Sequence, residues 1–435
     1  MRIKHSIFAV LICICSQSLS ASLSIQSWQT TSGARVYFVE NSELPILDIS
    51  VEFSAGSSKD NPEKSGVASL TRHLLNLGAG GLSEDEIANE LADVGAQLGG
   101  NFDEDRAGLT LRTLSSDRER LQALEIFFRL VQNPEFPQDV LEREKTRIIA
   151  SIKESSTKPA YIANRALMKM LYNEHPYGLN ESGEIETVEK IQRKDLLTFY
   201  QSYYTARNAV VAIIGDINKQ QAAIIAESLT ENLSKDTKNS HLPPVENPVG
   251  EIKRIAHPAT QSHILLAYPG IRRNDPDYFP LLVGNYILGG GGFVSRLMEE
   301  IRQQRGLAYS VYSFFSPLRE KGPFQIGLQT KKEQSEEALA LTQSVLKNFI
   351  KEGPSEDELI AAKQNIIGGF PLRLDSNKKI LGYLAMIGFY NLPLTYLDDY
   401  LIAVDAVTTA HIKDSFQRRI DPENMVTVIV GAVEQ

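Results

Sequence analysis

Hydrophobic and polar positions follow two similar arrangements along this chain, one in each half. Val188–Tyr200 has the apolar spacing of a surface helix, and the buried-strand pattern that follows it ends at Gly215. Val404–Phe416 and a strand pattern that ends at Gly431 repeat this order 216 residues later. A repeated order at a single offset predicts an internal duplication.

A second pair of segments lies at nearly the same offset. Proline-containing turns precede helical patterns at Gln138–Lys153 and Ser355–Gly369. Period-two patterns predict these strands: Ala34–Glu40, Ile46–Phe53, Glu104–Leu114, His263–Pro269 and Gly322–Thr330. Helices between and after the strands predict an α+β fold with two homologous halves, each an antiparallel sheet with helices packed on it.

Composition predicts where the two halves meet. Residues 232–254 are polar, rich in turn-forming residues and contain Pro243 and Pro244, as expected for a linker. The expected organisation is a leader at 1–21, an N-terminal domain at 22–231, this linker, and a C-terminal domain at 255–435.

The first residues have the layout of a secretory signal peptide. Arg2 and Lys4 precede a short apolar run, and Ser20 and Ala21 supply small residues at a cleavage position. The run is shorter than the ~20 residues that span a bilayer, and no later run comes closer. The alternatives are an uncleaved anchor, a buried helix, or a lipoprotein, which the isoleucine before each cysteine disfavours. We therefore expect a secreted protein of the bacterial periplasm with no stable membrane span.

Composition and charge narrow the classes of function. The chain has 435 residues, of which 42% are hydrophobic and 23% charged, as in globular proteins. Its 45 basic and 54 acidic residues give a formal charge of −9, so no basic field favours nucleic acid or an anionic bilayer. Nucleic acid is not an expected partner. Both cysteines, Cys13 and Cys15, lie in the leader, so the mature chain has no thiol for catalysis or metal binding.

Histidine spacing alone predicts no metal site. A helical zinc site needs two imidazoles three or four residues apart and a third ligand, and no two histidines of this chain have that spacing. His257 and His263 are six residues apart in a strand-like segment and could share a face, but a loop or interface role is favoured.

The sequence contains no Gly-x-Ser-x-Gly nucleophile motif.

The segment Gly66–Leu75 carries a family signal. It reads Gly-Val-Ala-Ser-Leu-Thr-Arg-His-Leu-Leu, and here the chain resembles the pitrilysin/insulinase family of zinc metallopeptidases, which includes the mitochondrial processing peptidases and their bacterial relatives. The resemblance covers essentially the whole mature chain. It implies that the two homologous domains of this chain form one half of a clam-shell peptidase. It also implies an inverted zinc motif, His-x-x-Glu-His, on the helix at this position.

Most residues that the family uses to hold zinc are replaced. The resemblance places Ser69 at the first histidine, Arg72 at the general-base glutamate, His73 at the second histidine and Ser151 at the glutamate ligand. One imidazole cannot hold a catalytic zinc ion, and Arg72 puts a permanent positive charge where the metal would be. We expect no metal, no cofactor and no catalytic residue acting alone in this chain, and a structural hydrogen bond for His73.

The second half keeps other residues of the family. Gly289–Gly292 precedes a helical pattern, but the Lys-Ser/Thr of a phosphate-binding loop does not follow, so nucleotide binding is not expected. The stretch resembles the glycine loop, helix and strand of the family, in which an arginine and a tyrosine contact substrate beside the zinc. Arg302 and Tyr309 match these two residues. As bare residues, Arg302 could instead pair with Glu299, and Tyr309 could fill a sheet face.

The resemblance favours a non-catalytic partner subunit of a secreted zinc metallopeptidase of the processing-peptidase type. Such a subunit would supply Arg302 and Tyr309 to a zinc-bearing sister chain, in a heterodimer that cleaves unfolded peptides. One alternative is a structural or peptide-binding protein with no role in catalysis. The other is a peptidase that uses different chemistry, for which the mature sequence offers no nucleophile.

Overall fold

The structure, a computed structural model, describes residues 23–236 and 241–431. The leader predicted at 1–21 lies outside this part. The strands are β1 Gln26–Gln29, β2 Arg35–Glu40, β3 Ile46–Phe53, β4 Gly78–Ala79, β5 Leu82–Ser83, β6 Gln97–Gly99, β7 Ala107–Leu114, β8 Ala209–Gly215, β9 Ile252–Ile255, β10 Gln261–Pro269, β11 Ala308–Phe315, β12 Pro323–Lys331 and β13 Val426–Val430.

The α-helices of the same part are α1 Val67–Leu74, α2 Glu84–Asp93, α3 Asp117–Gln132, α4 Gln138–Ser155, α5 Pro159–Tyr172, α6 Ile185–Lys190, α7 Arg193–Tyr203, α8 Lys219–Thr230, α9 Tyr278–Asn285, α10 Ser335–Glu352, α11 Glu356–Gly369, α12 Asn377–Phe389, α13 Tyr396–Asp405 and α14 Thr409–Arg419. None of these helices is both long and apolar enough to cross a bilayer.

The first sheet has the strand order β1-β2-β8-β3-β7-β6. Its strand β3 runs antiparallel to both neighbours, with Val51 opposite Leu109 and Val211, whereas β2 and β8 are parallel. Because side chains alternate along a strand, Leu47, Ile49 and Val51 point to one face. There they join one buried core with side chains of α1, α3 and α8.

The second sheet has the order β11-β12-β10-β13-β9. Its pairs are antiparallel except β13 with β9, which begins at Ile252 within the predicted linker. Phe416 of α14 packs edge to face on Phe349 and Phe324, with ring centroids 4.9 and 6.4 Å apart. The predicted α+β class is confirmed, and each antiparallel-rich sheet contains one parallel pair.

Each sheet is covered on its second face by a helix from the other half. Helix α5 lies on β10 and β13, and its Leu167 belongs to the same buried cluster as Leu265 and Val428. Helix α12 lies on β8, β3 and β2, and its Leu384 belongs to the same cluster as Ala212. This exchange of helices is absent from the sequence prediction, because an apolar helix face does not specify which sheet it covers.

A buried carboxylate joins the two halves. Asp105, between β6 and β7, accepts hydrogen bonds from the hydroxyls of Tyr177 and Tyr390, at 2.7 and 2.9 Å. It also accepts one from the backbone N–H of Arg319, at 2.6 Å. Asp105 is 2% exposed, and burial raises its pKa while these hydrogen bonds oppose the rise. Tyr390 and Arg319 come from the second half, so this network fixes one half against the other.

Two segments predicted as continuous helices are broken, and that prediction was wrong. Val188–Tyr200 divides into α6 and α7, because Gln192 and Asp195 form a reciprocal cap at the start of α7. Val404–Phe416 divides into α13 and α14, where the Thr408 hydroxyl accepts a backbone N–H of the first turn at 3.1 Å. These caps satisfy N–H groups that a new helix start leaves free. Positions 192 and 408 keep the 216-residue offset.

Candidate functional site

The helix at the expected zinc motif starts beside a buried carboxylate. Gly66 has a φ of +97°, and a Cβ there would lie 3.0 Å from the backbone of Gly183, so the position requires glycine. Asp60 accepts hydrogen bonds from the N–H groups of Gly66 and Ala68, at 2.6 and 2.9 Å. Burial raises the pKa of Asp60 to about 7, and the two donors oppose the rise. These contacts fix the first turn of α1.

His73, on α1, pairs with an acidic residue of α4. Its Nε2 lies 3.0 Å from Oε2 of Glu144, and half of the imidazole side chain stays exposed. The other oxygen of Glu144 accepts hydrogen bonds from Arg143 and Arg147, both at 2.7 Å. Burial alone would raise the pKa of Glu144, but these donors hold it below its usual value. His73 therefore has the hydrogen bond expected from the sequence, and Glu144 is its partner.

The remaining positions of the family motif do not supply metal ligands. Ser69 lies one turn before His73 on α1, and Ser151 is exposed on α4, two turns after Glu144. Zinc in proteins prefers imidazole, thiolate and carboxylate to a neutral hydroxyl. Among the described residues, no group of three or more His, Cys, Asp or Glu is placed to hold a metal ion. The side chains present do not fit a catalytic zinc ion.

Arg72 lies against the edge of the first sheet. Its Nε donates to the carbonyl of Gly108 on β7, and its Nη2 donates to the carbonyl of Gly99 on β6 at 3.2 Å. A Cβ at residue 100 would lie 2.0 Å from Nη2 and 2.1 Å from the carbonyl of Gly108, so the guanidinium fits because Gly100 has no side chain. Burial lowers the pKa of Arg72, yet guanidinium stays protonated in proteins.

The structure brings Arg302 and Tyr309 together. The guanidinium carbon of Arg302 lies 5.0 Å from the centroid of the Tyr309 ring and 4.8 Å from that of Phe293. Tyr309 is 78% exposed and Phe293 64%. Glu299, the alternative partner of Arg302, accepts a hydrogen bond from Gln304 at 3.2 Å. Cation–π contacts with two exposed rings therefore orient the half-buried Arg302.

Two local irregularities place this pair. Arg302 lies in a π-helical turn, Met298–Gln303. Tyr309 lies at a β-bulge, where the register of β11 with β12 shifts between Ala308 and Ser310. A bulge interrupts the alternation of a strand, and Tyr309 and Ser310 are both exposed. Neither irregularity follows from hydrophobic periodicity.

The glycine run packs closely on β11. A Cβ at Gly289 would lie 2.4 Å from the hydroxyl oxygen and 2.6 Å from the backbone nitrogen of Ser313. The side chain of Asn285 donates to the carbonyl of the same serine at 3.0 Å. Gly292 has a φ of +62°, which favours glycine. Close packing and one turn explain these glycines, and the loop that they form presents Phe293 to solvent.

Known proteins share this sequence and fold. The sequence model of the insulinase family, peptidase family M16, matches residues 35–183, and that of the peptidase M16 inactive domain matches residues 190–366. A Pseudomonas fluorescens crystal structure described as a peptidase M16 inactive domain is 38% identical, with a TM-score of 0.91 over 95% of this chain and 99% of that one. The chain belongs to the M16 family.

Other M16 relatives carry mixed descriptions. A Helicobacter pylori protein described as the non-peptidase homolog YmxG is 28% identical over 401 residues, 91% of each chain. A Bacillus subtilis protein described as the uncharacterized zinc protease YmxG is 24% identical over 354 residues, 81% of this chain and 85% of that one. A solved Helicobacter pylori protease has a TM-score of 0.85 at 20% identity, over 94% of this chain and 99% of that one, and shows the shared fold. The family resemblance drawn from the sequence is confirmed.

The sequence patterns do not single out Glu144 and Phe293, which contact the candidate residues His73 and Arg302. Glu144 has arginines one residue before it and three residues after it, a pattern common on exposed helix faces. Phe293 is an aromatic residue that follows a run of four glycines. Both sequence signals are weak on their own. The structure relates these residues to the site, because Glu144 contacts His73 and Phe293 contacts Arg302.

Proposed function

We propose that this chain is the catalytically silent subunit of a heterodimeric M16 metallopeptidase. A zinc-bearing sister chain would supply the metal, and this chain would present Arg302 and Tyr309 to an unfolded peptide. One observation carries the proposal: the guanidinium of half-buried Arg302 lies 5.0 Å from the exposed ring of Tyr309, in a chain whose own zinc positions do not fit zinc.

The two side chains have the donors that this role requires. A guanidinium can donate two hydrogen bonds to peptide oxygens, and a phenol can donate to an oxygen that gains negative charge during hydrolysis. The rings of Tyr309 and Phe293 already orient Arg302, which reduces the entropy lost when a peptide binds. This chain would bind and orient the peptide, and the sister chain would cleave it.

The cellular setting and the division of the chain are part of the same proposal. The signal-like segment at 1–21 supports export to the bacterial periplasm, where the subunit would meet unfolded peptides. We place its two domains at 22–231 and 255–435, with the linker between them, because the first range contains every strand of the first sheet and the second contains the second sheet except the start of β9.

The test is reconstitution. The chain and a sister with an intact His-x-x-Glu-His motif are purified, and cleavage of an unstructured fluorogenic peptide is measured for each chain and for the mixture. We expect the mixture to be active and a chelator to abolish its activity. Arg302→Ala and Tyr309→Phe should each lower kcat/KM by about 10²-fold or more, with the heterodimer still intact by size-exclusion chromatography.

Arg305→Ala is the matched control, because Arg305 lies just after the same turn and pairs with Glu300 at 2.7 Å on the surface. It should leave the rate unchanged. Chelator-sensitive activity of this chain alone would contradict a silent subunit. An active mixture that tolerates both Arg302→Ala and Tyr309→Phe would refute the shared site.

A peptide-binding protein without a catalytic role is the second candidate. The observation that favours it is Arg72, a cation fixed at an open sheet edge within the degenerate motif. In that case the mixture would be no more active than the sister chain, while this chain alone would bind peptides.

A further inference from the structure

Arg72 keeps hydrogen-bond donors that no other described residue uses. A guanidinium carries five N–H groups, and the carbonyls of Gly108 and Gly99 take one from Nε and one from Nη2. The N–H groups of Nη1 and the second N–H of Nη2 remain. They form the end-on fork with which arginine binds a carboxylate at two points.

Arg72 also has no acidic partner in the part of the chain that the structure describes. Throughout 23–236 and 241–431, no Asp or Glu forms an ion pair with it. Burial lowers the pKa of Arg72, as expected for a cation that has lost water without gaining an acid. A ligand that brings a negative charge would compensate that loss.

Two further polar groups are linked to Arg72, one through its electrostatic effect and one through its position on α1. Tyr204 is 2% exposed, and within the described chain its buried hydroxyl has no hydrogen-bond partner. Burial raises the pKa of Tyr204, and the charge of Arg72 opposes that rise. Buried hydroxyls without a partner are rare in folded proteins. Ser69, three residues before Arg72, shares its helix face and is partly exposed.

The glutamate that contacts the neighbouring His73 is already paired with other arginines. Next to Arg72 on the chain, His73 contacts Glu144, which also binds Arg143 and Arg147. Arg143 pairs with one more glutamate of α2. Glu144 and Glu84 are thus paired with Arg143 and Arg147, and among the described residues neither glutamate forms an ion pair with Arg72.

We propose that Arg72 binds a carboxylate of an extended peptide, in the degenerate motif itself. Gly99, whose carbonyl anchors the guanidinium, belongs to β6, the edge strand of the first sheet, so a peptide can approach from the open side. The carboxylate is either the peptide's C-terminus or the side chain of an internal Asp or Glu. The inference rests on the proposed function only in taking an extended peptide as the ligand, and it needs no sister chain.

Fluorescence anisotropy of the mature chain alone tests this inference. Three labelled peptides share one unstructured sequence: a free acid without internal Asp or Glu, its C-terminal amide, and an amide with one internal Glu. We expect the free acid or the Glu peptide to bind at least about tenfold more tightly than the plain amide. Whichever of the two is preferred identifies the source of the carboxylate.

Arg72→Gln should abolish this preference while it leaves affinity for the plain amide unchanged. Arg72→Lys keeps the charge but loses the fork, and should lose most of the preference; it serves if Arg72→Gln fails to fold. Arg118→Gln, at an exposed arginine of α3, is the matched control and should keep the preference. Thermal melts monitored by circular dichroism establish that each variant is folded.

Equal affinity of the wild-type chain for all three peptides would overturn the proposal. So would a preference that survives in both Arg72 variants. Both results concern binding by this chain alone, so they leave the reconstituted activity of the heterodimer untouched. Conversely, an inactive mixture would refute the silent-subunit role and leave carboxylate binding to stand on its own measurement.

Discussion

Removing the carboxylate of Asp105 should destabilise both halves of the protein. Its oxygens accept three hydrogen bonds, from Arg319 N–H at 2.6 Å and from the hydroxyls of Tyr177 and Tyr390 at 2.7 and 2.9 Å. Asp105→Ala leaves these three donors buried without this acceptor. The hydroxyl of Tyr177 still accepts from the N–H of Glu320 at 3.1 Å, but its own proton loses its partner.

The size of the effect follows from those three donors. Each buried group left without its partner costs about 1–3 kcal/mol. Burial raises the pKa of Asp105, which means that the buried carboxylate itself costs free energy. Its removal offsets part of the loss, so we expect a net decrease of about 3–5 kcal/mol in the free energy of unfolding. Tyr390→Phe removes one donor and should cost about 1 kcal/mol. Asp105→Asn keeps the shape and one acceptor, and should fall between the two.

Urea unfolding at pH 7 measures these differences with two probes. Far-ultraviolet circular dichroism reports on the whole chain, and Trp28, the single tryptophan, reports on β1 of the first sheet. Both transitions should move to lower urea in Asp105→Ala, because the network ties the halves together. A loss below about 1 kcal/mol, or one no larger than in Tyr390→Phe, would refute the reasoning. A Trp28 transition that stays in place would refute the tie between the halves.

Three more predictions concern other parts of the chain. Hydrogen bonds from two arginines of α14 hold the pKa of Asp277 at about 2. The ionised carboxylate therefore stabilises the folded protein fully at any pH above the pKa of Asp277 in the unfolded chain, and this stabilisation is lost as the pH falls through 2. Asp277→Asn should therefore cost up to about 2 kcal/mol at pH 7 and progressively less between pH 4 and 2 by urea unfolding. Gly289→Ala should push the glycine loop off β11 and lower the rate of the reconstituted mixture about tenfold or more, with the fold intact by circular dichroism. The combination Ser69→His, Arg72→Glu and Ser151→Glu restores the two missing ligands and the general base of the family, and titration calorimetry should then detect one Zn²⁺ per chain.

Strands could be predicted from the sequence more closely than helices. The pattern at Ile46–Phe53 matches β3 residue for residue, and His263–Pro269 begins two residues after β10 does. A buried strand imposes its pattern on nearly every residue. A break between two helices depends instead on one capping residue, such as Gln192, and helical periodicity runs across it.

The candidate site could be predicted in its positions but not in its contacts. The family resemblance suggests Arg302 and Tyr309 as candidates, but their contact depends on a π-helical turn and a bulge that insert residues without an apolar signal. The loss of the zinc motif is readable at Ser69 and Arg72. The pairing of His73 with Glu144 joins residues 71 positions apart, which no local pattern records.

Because α5 packs on the second sheet and α12 on the first, each half of the protein completes the core of the other. A protease cut in the linker should leave the fragments associated, because each donates a helix to the sheet of the other. Either fragment produced alone would expose apolar residues such as Leu265 or Ala212 and should aggregate. Two fragments synthesised together should reassemble. The covalent link between the halves is therefore needed more to bring them together during folding than to hold the folded protein together.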